Sequence, residues 1–227
     1  MKELPLSEPL LLVLVGYPGS GKSHFARELS SRYNFSVISG DRIRSIIFSQ
    51  PAFSKQDEDT IKDVALYQLE ELLKTRRPVI FDADGTTKQA RLHLAKLAKD
   101  ANYRMLTVWV QTDAETAFIR SSRRSQSKVG DKYTVNLSRE LFEQLCKQFT
   151  APSGNEHYLV ISGKHTYTTQ VQTLLRKLKI LTEAPKAKSV PISAPRPTQP
   201  VYGDVTSSRN EEPKRPKINF SRRIKLR

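Results

Sequence analysis

The run Leu10-Leu-Leu-Val-Leu-Val15 leads without a break into Gly16-Tyr-Pro-Gly-Ser-Gly-Lys22-Ser23, and this junction narrows the fold more than any other stretch. Six apolar residues in succession suit a strand buried on both faces. Gly-x-x-x-x-Gly-Lys-Ser is the Walker A pattern, a P-loop that cradles phosphates between a strand and a helix. Behind it, Phe25, Ala26 and Leu29 fall at helical spacing, so a helix opens where the loop closes. Glycines let the backbone curl around an anion with its N–H groups turned inward, and the helix N-terminus adds free donors and a favourable dipole. Gly16, Tyr17, Pro18, Gly19, Ser20, Gly21, Lys22 and Ser23 are the expected nucleotide-binding residues. Lys22 should reach the β- and γ-phosphates and Ser23 should hold Mg²⁺. A chance match in a Gly-rich turn is the alternative, and strand, loop and helix in register weigh against it.

Apolar runs then alternate with helical patterns, as in a parallel sheet with crossover helices. Strands are expected at Leu10–Val15, Phe35–Ser39, Val79–Asp82, Met105–Val110 and His157–Ile161. Between and after them, helices are expected at 42–48, 57–74, 89–100, 114–124, 138–149 and 169–181, the fourth capped by Thr112 or Asp113 and the fifth by Ser138. The fold class is α/β, a P-loop NTPase with a five-stranded parallel sheet sandwiched by helices and a helical lid. Ser125–Asn136, polar, basic and interrupted by Gly130, reads as the mobile part of that lid. Residues 1–182 form the nucleotide-binding domain. Residues 183–227 hold seven prolines and no apolar periodicity, so they are expected to be a disordered basic tail that cannot offset chain entropy by burial.

Net charge is +15, of which the tail supplies +7 through eleven Lys or Arg against four acids. An anionic partner beyond the nucleotide is expected, with non-specific nucleic acid on the tail as one form; ribosomes, acidic proteins and anionic membrane surfaces are others. The lone Cys146 excludes an internal disulfide and reads as a small helix-core residue. No run approaches a membrane span and no signal peptide is apparent. The expected location is the cytoplasm.

A P-loop alone does not separate kinase from ATPase, GTPase or motor. Asp41 closes the second strand, where ligands gather beyond the strand ends, and could accept the proton of an attacking hydroxyl. Its plainer reading is an N-cap for the next helix, and the two can coexist. Arg44 could clamp a substrate phosphate or be a solvated charge. Asp82 resembles a Walker B acid for Mg²⁺, and Asp84 is a second candidate for metal or substrate; each could instead serve a turn. Arg120 and Arg124, four apart, would share a helix face and could stabilise a transferring phosphoryl group from the lid, against the reading of a solvated basic face. The histidines show no metal spacing. Trp109 reads as core.

The P-loop, Ser39-Gly-Asp-Arg-Ile-Arg44, Phe81-Asp-Ala-Asp-Gly-Thr-Thr87 with Arg91 behind it, and the Arg120/Arg124 pair occur in that order. Over about residues 8–182 the chain resembles the small P-loop kinase-like ATP-binding proteins, the AAA-domain and zeta-toxin-like group that includes the kinase domain of phage polynucleotide kinase. Chloramphenicol phosphotransferase and gluconate kinase look more distant. The resemblance implies Lys22 and Ser23 on phosphates and Mg²⁺, Asp41 as the base on the acceptor hydroxyl, Arg44 on the acceptor's phosphate, Asp82 near the acceptor, and Arg124 with Arg120 as lid arginines. Asp84 departs from the Asn often present there, and its charge argues against a densely phosphorylated acceptor. The expected function is transfer of the ATP γ-phosphate to a hydroxyl on a small metabolite or a nucleic-acid 5′ end. A nucleotide-binding module without transfer chemistry and a toxin-like sugar-nucleotide kinase are the alternatives.

Overall fold

Every strand of the sheet runs the same way, in the order β2-β3-β1-β4-β5. The computed structural model describes residues 8–49, 53–124 and 132–183, with side chains to 179. In chain order the elements are β1 (Leu10–Val15), α1 (Lys22–Arg32), β2 (Ser36–Ser39), α2 (Gly40–Ile47), α3 (Lys55–Lys74), β3 (Val79–Asp82), α4 (Lys88–Asp100), β4 (Arg104–Gln111), α5 (Ala114–Ser122), α6 (Arg139–Gln148), β5 (Tyr158–Ser162) and α7 (Tyr167–Glu183). The expected tail lies beyond the described residues, as do positions 125–131 of the expected lid loop.

β1 occupies the middle of the sheet, and all six of its residues are buried. Alternation along the strand sends them to two separate cores. Leu10, Leu12 and Leu14 meet Phe25 and Leu29 of α1 and Leu174 and Leu178 of α7. Leu11, Val13 and Val15 meet Ile61, Ala65 and Leu69 of α3 and Leu94 of α4. The continuous apolar run at 10–15 is thus the sequence form of a strand covered on both faces. Because every strand is parallel, all the carboxyl ends point to one edge, and Gly16, Asp41, Asp82 and Thr112, at or just past those ends, gather there.

Helix ends follow their side-chain caps. Ser54, Thr87, Asp113 and Ser138 each accept from a backbone N–H in the first turn of α3, α4, α5 and α6, which satisfies one orphan donor apiece. Between the two candidates, Asp113 is the cap of α5; Thr112 instead donates to the Ser20 carbonyl at 3.1 Å. Trp109 is half-buried and packs at the margin of the second core, 6.0 Å from the Phe149 ring.

Candidate active site

The loop after β1 is held by close backbone approach. Gly21 caps α1 in the left-handed region, φ 109°, and among the described residues no side chain bonds to that cap. The first N–H groups of α1 are left for an anion. Gly19 also has positive φ, and a Cβ there would collide with the Ala117 carbonyl of α5. A Cβ on Gly163, just past β5, would collide with the Ser20 carbonyl. The loop is therefore wedged between α5 and the β5–α7 turn.

Lys22 folds back over the loop, donating from Nζ to the Gly16 and Tyr17 carbonyls at 2.9 Å each. Burial pulls its ammonium below its usual value, with Asp82 and Asp41 acting in the opposite sense. Ser23 Oγ donates to Asp82 Oδ2 at 2.6 Å. Asp82, last residue of β3, is buried, and desolvation raises its pKa to about 6 despite Lys22 and the Ser23 hydroxyl. A hydroxyl and a carboxylate side by side at the mouth of a phosphate loop suit Mg²⁺, which takes hard oxygens and keeps water and phosphate in most positions. Among the described residues no cluster of three or more His, Cys, Asp or Glu could cage a metal.

Across the cleft, Ser39 is the N-cap of α2, accepting from the Arg42 N–H. Asp41 is thus not the cap, and its carboxylate turns to the cleft, where Arg124 Nη1 stands 3.8 Å from Oδ2. The expectation that Arg120 and Arg124 share a helix face is corrected, because α5 ends at Ser122. Arg124 lies past that end with its N–H bonded to Asn136 Oδ1 at 2.7 Å, while Arg120 donates to the Gly163 carbonyl at 2.9 Å. Both arginines still line the cleft.

Arg44, only 7% exposed, reaches the same space from the next turn of α2. Its Nη2 meets Glu58 of α3 at 2.7 Å, and its guanidinium faces the Phe53 ring at 4.3 Å. Nε and Nη1 are buried with no partner among the described residues. Asp84 does not join this group; it lies outside the cleft lining, with Thr86 Oγ1 3.5 Å and Lys62 Nζ 3.9 Å away.

The cleft encloses about 270 Å³ and gathers Lys22, Ser23, Asp41, Arg44, Asp82, Arg120 and Arg124 in one space. A larger cavity of about 1130 Å³ beside α4 shares no lining residue with it. Among the cleft residues that escaped the sequence reading are His24, Arg27, Phe53 and Glu58. His24 and Arg27 follow from one- and four-residue steps beyond Ser23 along α1. Phe53 and Glu58 carry no local signal, since they matter only through Arg44. Cys146 packs under the α5–α6 region, and burial raises its thiol pKa, as befits a packing residue.

Arg91 anchors the surroundings. It is 1% exposed, pairs with Glu156 through Nε (2.6 Å) and Nη2 (3.0 Å), and donates from Nη1 to the Gly85 and Thr150 carbonyls at 2.9 Å. The turn after β3 is thereby tied to the segment before β5.

Residues 11–152 match a family model described as an AAA domain. Among curated proteins, a candidate bifunctional polynucleotide kinase/RNA ligase of Autographa californica nuclear polyhedrosis virus is 27% identical over 71% of this chain and 24% of its own. The L-seryl-tRNA(Sec) kinase of Methanococcus maripaludis is 23% identical over 63% of this chain and 53% of its own. The matched region thus spans about a quarter and about half of those relatives. In solved structures the same fold occurs in Chaetomium thermophilum Kti12 with ADP-AlF3 (TM-score 0.59, 22% identity, 76% of this chain and 98% of that one) and in a Sinorhizobium meliloti gluconokinase (TM-score 0.53, 18%, 78% and 94%). Among the described residues no helix is long and apolar enough to cross a membrane.

Proposed function

The chain belongs to the AAA-domain family matched over residues 11–152, and from this premise we propose that it is an ATP-dependent kinase acting on a hydroxyl acceptor. One observation carries the reading: a carboxylate outside the phosphate loop, Asp41, lines the same cleft as Lys22, Ser23 and Asp82. A binding module needs only the loop and its cation site; attack on the γ-phosphorus calls in addition for a group on the far wall that takes the nucleophile's proton, and the buried Arg44 beside it favours an acceptor larger than water. The kinase names of the curated relatives support the same chemistry.

In this mechanism the loop amides and Lys22 hold the triphosphate, while Ser23 and Asp82 would hold Mg²⁺. When bound, Mg²⁺ would supply positive charge against the transferring phosphates. Asp41 accepts the proton of the acceptor hydroxyl as its oxygen bonds to the γ-phosphorus; the bond from that phosphorus to the β–γ bridging oxygen breaks, and ADP leaves. Arg124, 3.8 Å from Asp41, stands between base and phosphates, and Arg120 adds charge at the nucleotide side. The two free donors of buried Arg44 favour an acceptor with an anionic group close to its hydroxyl. Asp84, paired toward Lys62, drops out of the acceptor contacts. The basic segment 183–227 would add a weak, salt-sensitive grip on nucleic acid, and its removal should lower low-salt binding.

The decisive test incubates the protein with labelled ATP and a panel of 5′-hydroxyl oligonucleotides, nucleosides, nucleoside 3′-monophosphates and sugars. Label transfer that Asp41→Asn abolishes, with ATP affinity kept within a few-fold, supports the kinase. Hydrolysis without transfer to any acceptor would favour the nucleotide-binding module.

A further inference from the structure

The cavity of about 1130 Å³ beside α4 takes no part in the cleft, and its lining has a pattern of its own. Lys88, Leu92, Ala95 and Lys99 all face it. Steps of four, three and four residues set them in one stripe along α4, two apolar side chains between two lysines. Leu92 is 55% exposed. Met105, which packs against the second core, also lines the cavity, and Arg76 and Arg104 add positive charge.

The opposite pattern stands on α3. Asp59, Asp63, Tyr67 and Glu70 are all exposed, and steps of four, four and three keep them on one face. Tyr67, at 66% exposure, is the apolar centre of that stripe. From Asp59 to Glu70 is eleven positions, as from Lys88 to Lys99, or about 16 Å along either axis. None of the four α3 residues lines the cavity of its own chain. We propose that the protein forms a two-fold dimer in which α3 of each copy seats in the α4 cavity of the other. Tyr67 then packs beside Leu92 and Ala95, and the acids pair with Lys88 and Lys99.

The fold permits this with one axis. α3 and α4 pack on the same face of the sheet, into one core. Each leads back to a strand of that parallel sheet, so the two helices run in the same sense. A two-fold axis along that sense brings the helical layers of two copies face to face without reversing either helix. Asp59 and Asp63 then fall at the Lys88 end and Glu70 at the Lys99 end. The contact is made twice, which closes the assembly at two copies.

A nucleic-acid strand would use the same cations, but the cavity gives its bases no open ring. Tyr103, the aromatic residue in the lining, is 6% exposed, and its hydroxyl donates to the Arg77 carbonyl at 2.9 Å. Base stacking needs an exposed face. An exposed tyrosine meeting an exposed leucine inside a ring of opposite charges is instead how a protein interface is anchored.

Analytical ultracentrifugation of the full chain tests it. The wild type should dimerise with a dissociation constant on the order of 10 µM, in the range of a transient interface. Two double variants, Lys88→Glu with Lys99→Glu and Asp63→Lys with Glu70→Lys, each set like charges across both contacts. Each alone should be monomeric at about 100 µM. Mixed in equal amounts they should recover a heterodimer, because every contact again joins opposite charges. Tyr67→Ala should weaken the wild-type dimer about tenfold or more. None of these positions lines the cleft, so ATP binding checks that each variant is folded, and the dimer stands or falls apart from the kinase reading. A wild type still monomeric at about 100 µM, or reversed variants that do not recover a dimer on mixing, overturns the proposal. So would an oligouridine that binds the monomeric wild type and is lost by the Lys88/Lys99 variant, an outcome that gives the cavity to nucleic acid.

Discussion

At the nucleotide end of the cleft, backbone meets backbone: Gly19 lies against the Ala117 carbonyl and Gly163 against that of Ser20. At the acceptor end, side chains from distant segments meet one another, Arg44 with Glu58 and Arg124 with Asp41. A backbone lock tolerates almost no change in residue type, so it leaves a rigid motif in the sequence. A side-chain pair can be rebuilt from other residues, so it leaves none. The fixed half suits a cosubstrate, and the adjustable half suits the partner by which one relative differs from the next.

Asp41→Asn is the harshest test of that division. It should cut kcat by about 10²–10⁴ while ATP affinity, measured by titration, changes less than threefold; a large loss of affinity would mean the two ends are not separable. Lys22→Ala should act on the other half. A loss of about 10²–10³ in kcat/KM for ATP is expected, with acceptor binding in the presence of ADP largely kept.

Asp82 sits where the halves join, and its effect shows in stability. Its carboxyl binds a proton more tightly folded than unfolded, since its pKa is raised from 3.8 to about 6. Its contribution is therefore fully present below about pH 4 and is lost as pH rises through about 6. The loss is on the order of 3 kcal/mol. In nucleotide-free protein, Asp82→Asn should remove this fall, so the difference between variant and wild-type unfolding free energies should grow between pH 4 and 7. A difference flat with pH would show that Asp82 is not desolvated. Reading the difference also cancels carboxylates of opposite sense, such as Glu156, which Arg91 holds below its usual range.

Glu58→Gln should be mildest. Glu58 is itself part-exposed, so losing the pair costs about 1 kcal/mol, read as a Tm lowered by a few degrees. Acceptor KM should shift several-fold and ATP KM should not; equal shifts in both would contradict the division.

The same contrast governs what could be read beforehand. The run into the P-loop, the acid ending β3 and the five strands were legible because each is written in adjacent residues; Asp41, read as closing the second strand, lies instead in the first turn of α2. Arg120 and Arg124 misled because spacing assumes a continuing helix, and α5 stops at Ser122. Asp41 was open to a capping role that Ser39 fills. Asp84 read as a site acid because its distance from Asp82 says nothing of Lys62, on a different helix. Glu58, Phe53 and the Arg91–Glu156 pairing, 65 positions apart, act through contacts that only the folded chain creates.

That last fastening sets where the molecule can bend. A buried guanidinium clasping one carboxylate and two carbonyls from separate segments welds the platform beneath Asp82 to the strand at the sheet's border. Across the gap, α2 meets the stretch after α5 through looser contacts, Asp41 with Arg124 at 3.8 Å and Arg42 over the Tyr133 ring at 5.7 Å. Opening and closing during a catalytic cycle would fall on that weaker seam, so a crosslink from α2 to the 134–137 stretch should arrest turnover, whereas one bridging the Arg91 platform to β5 should leave it running.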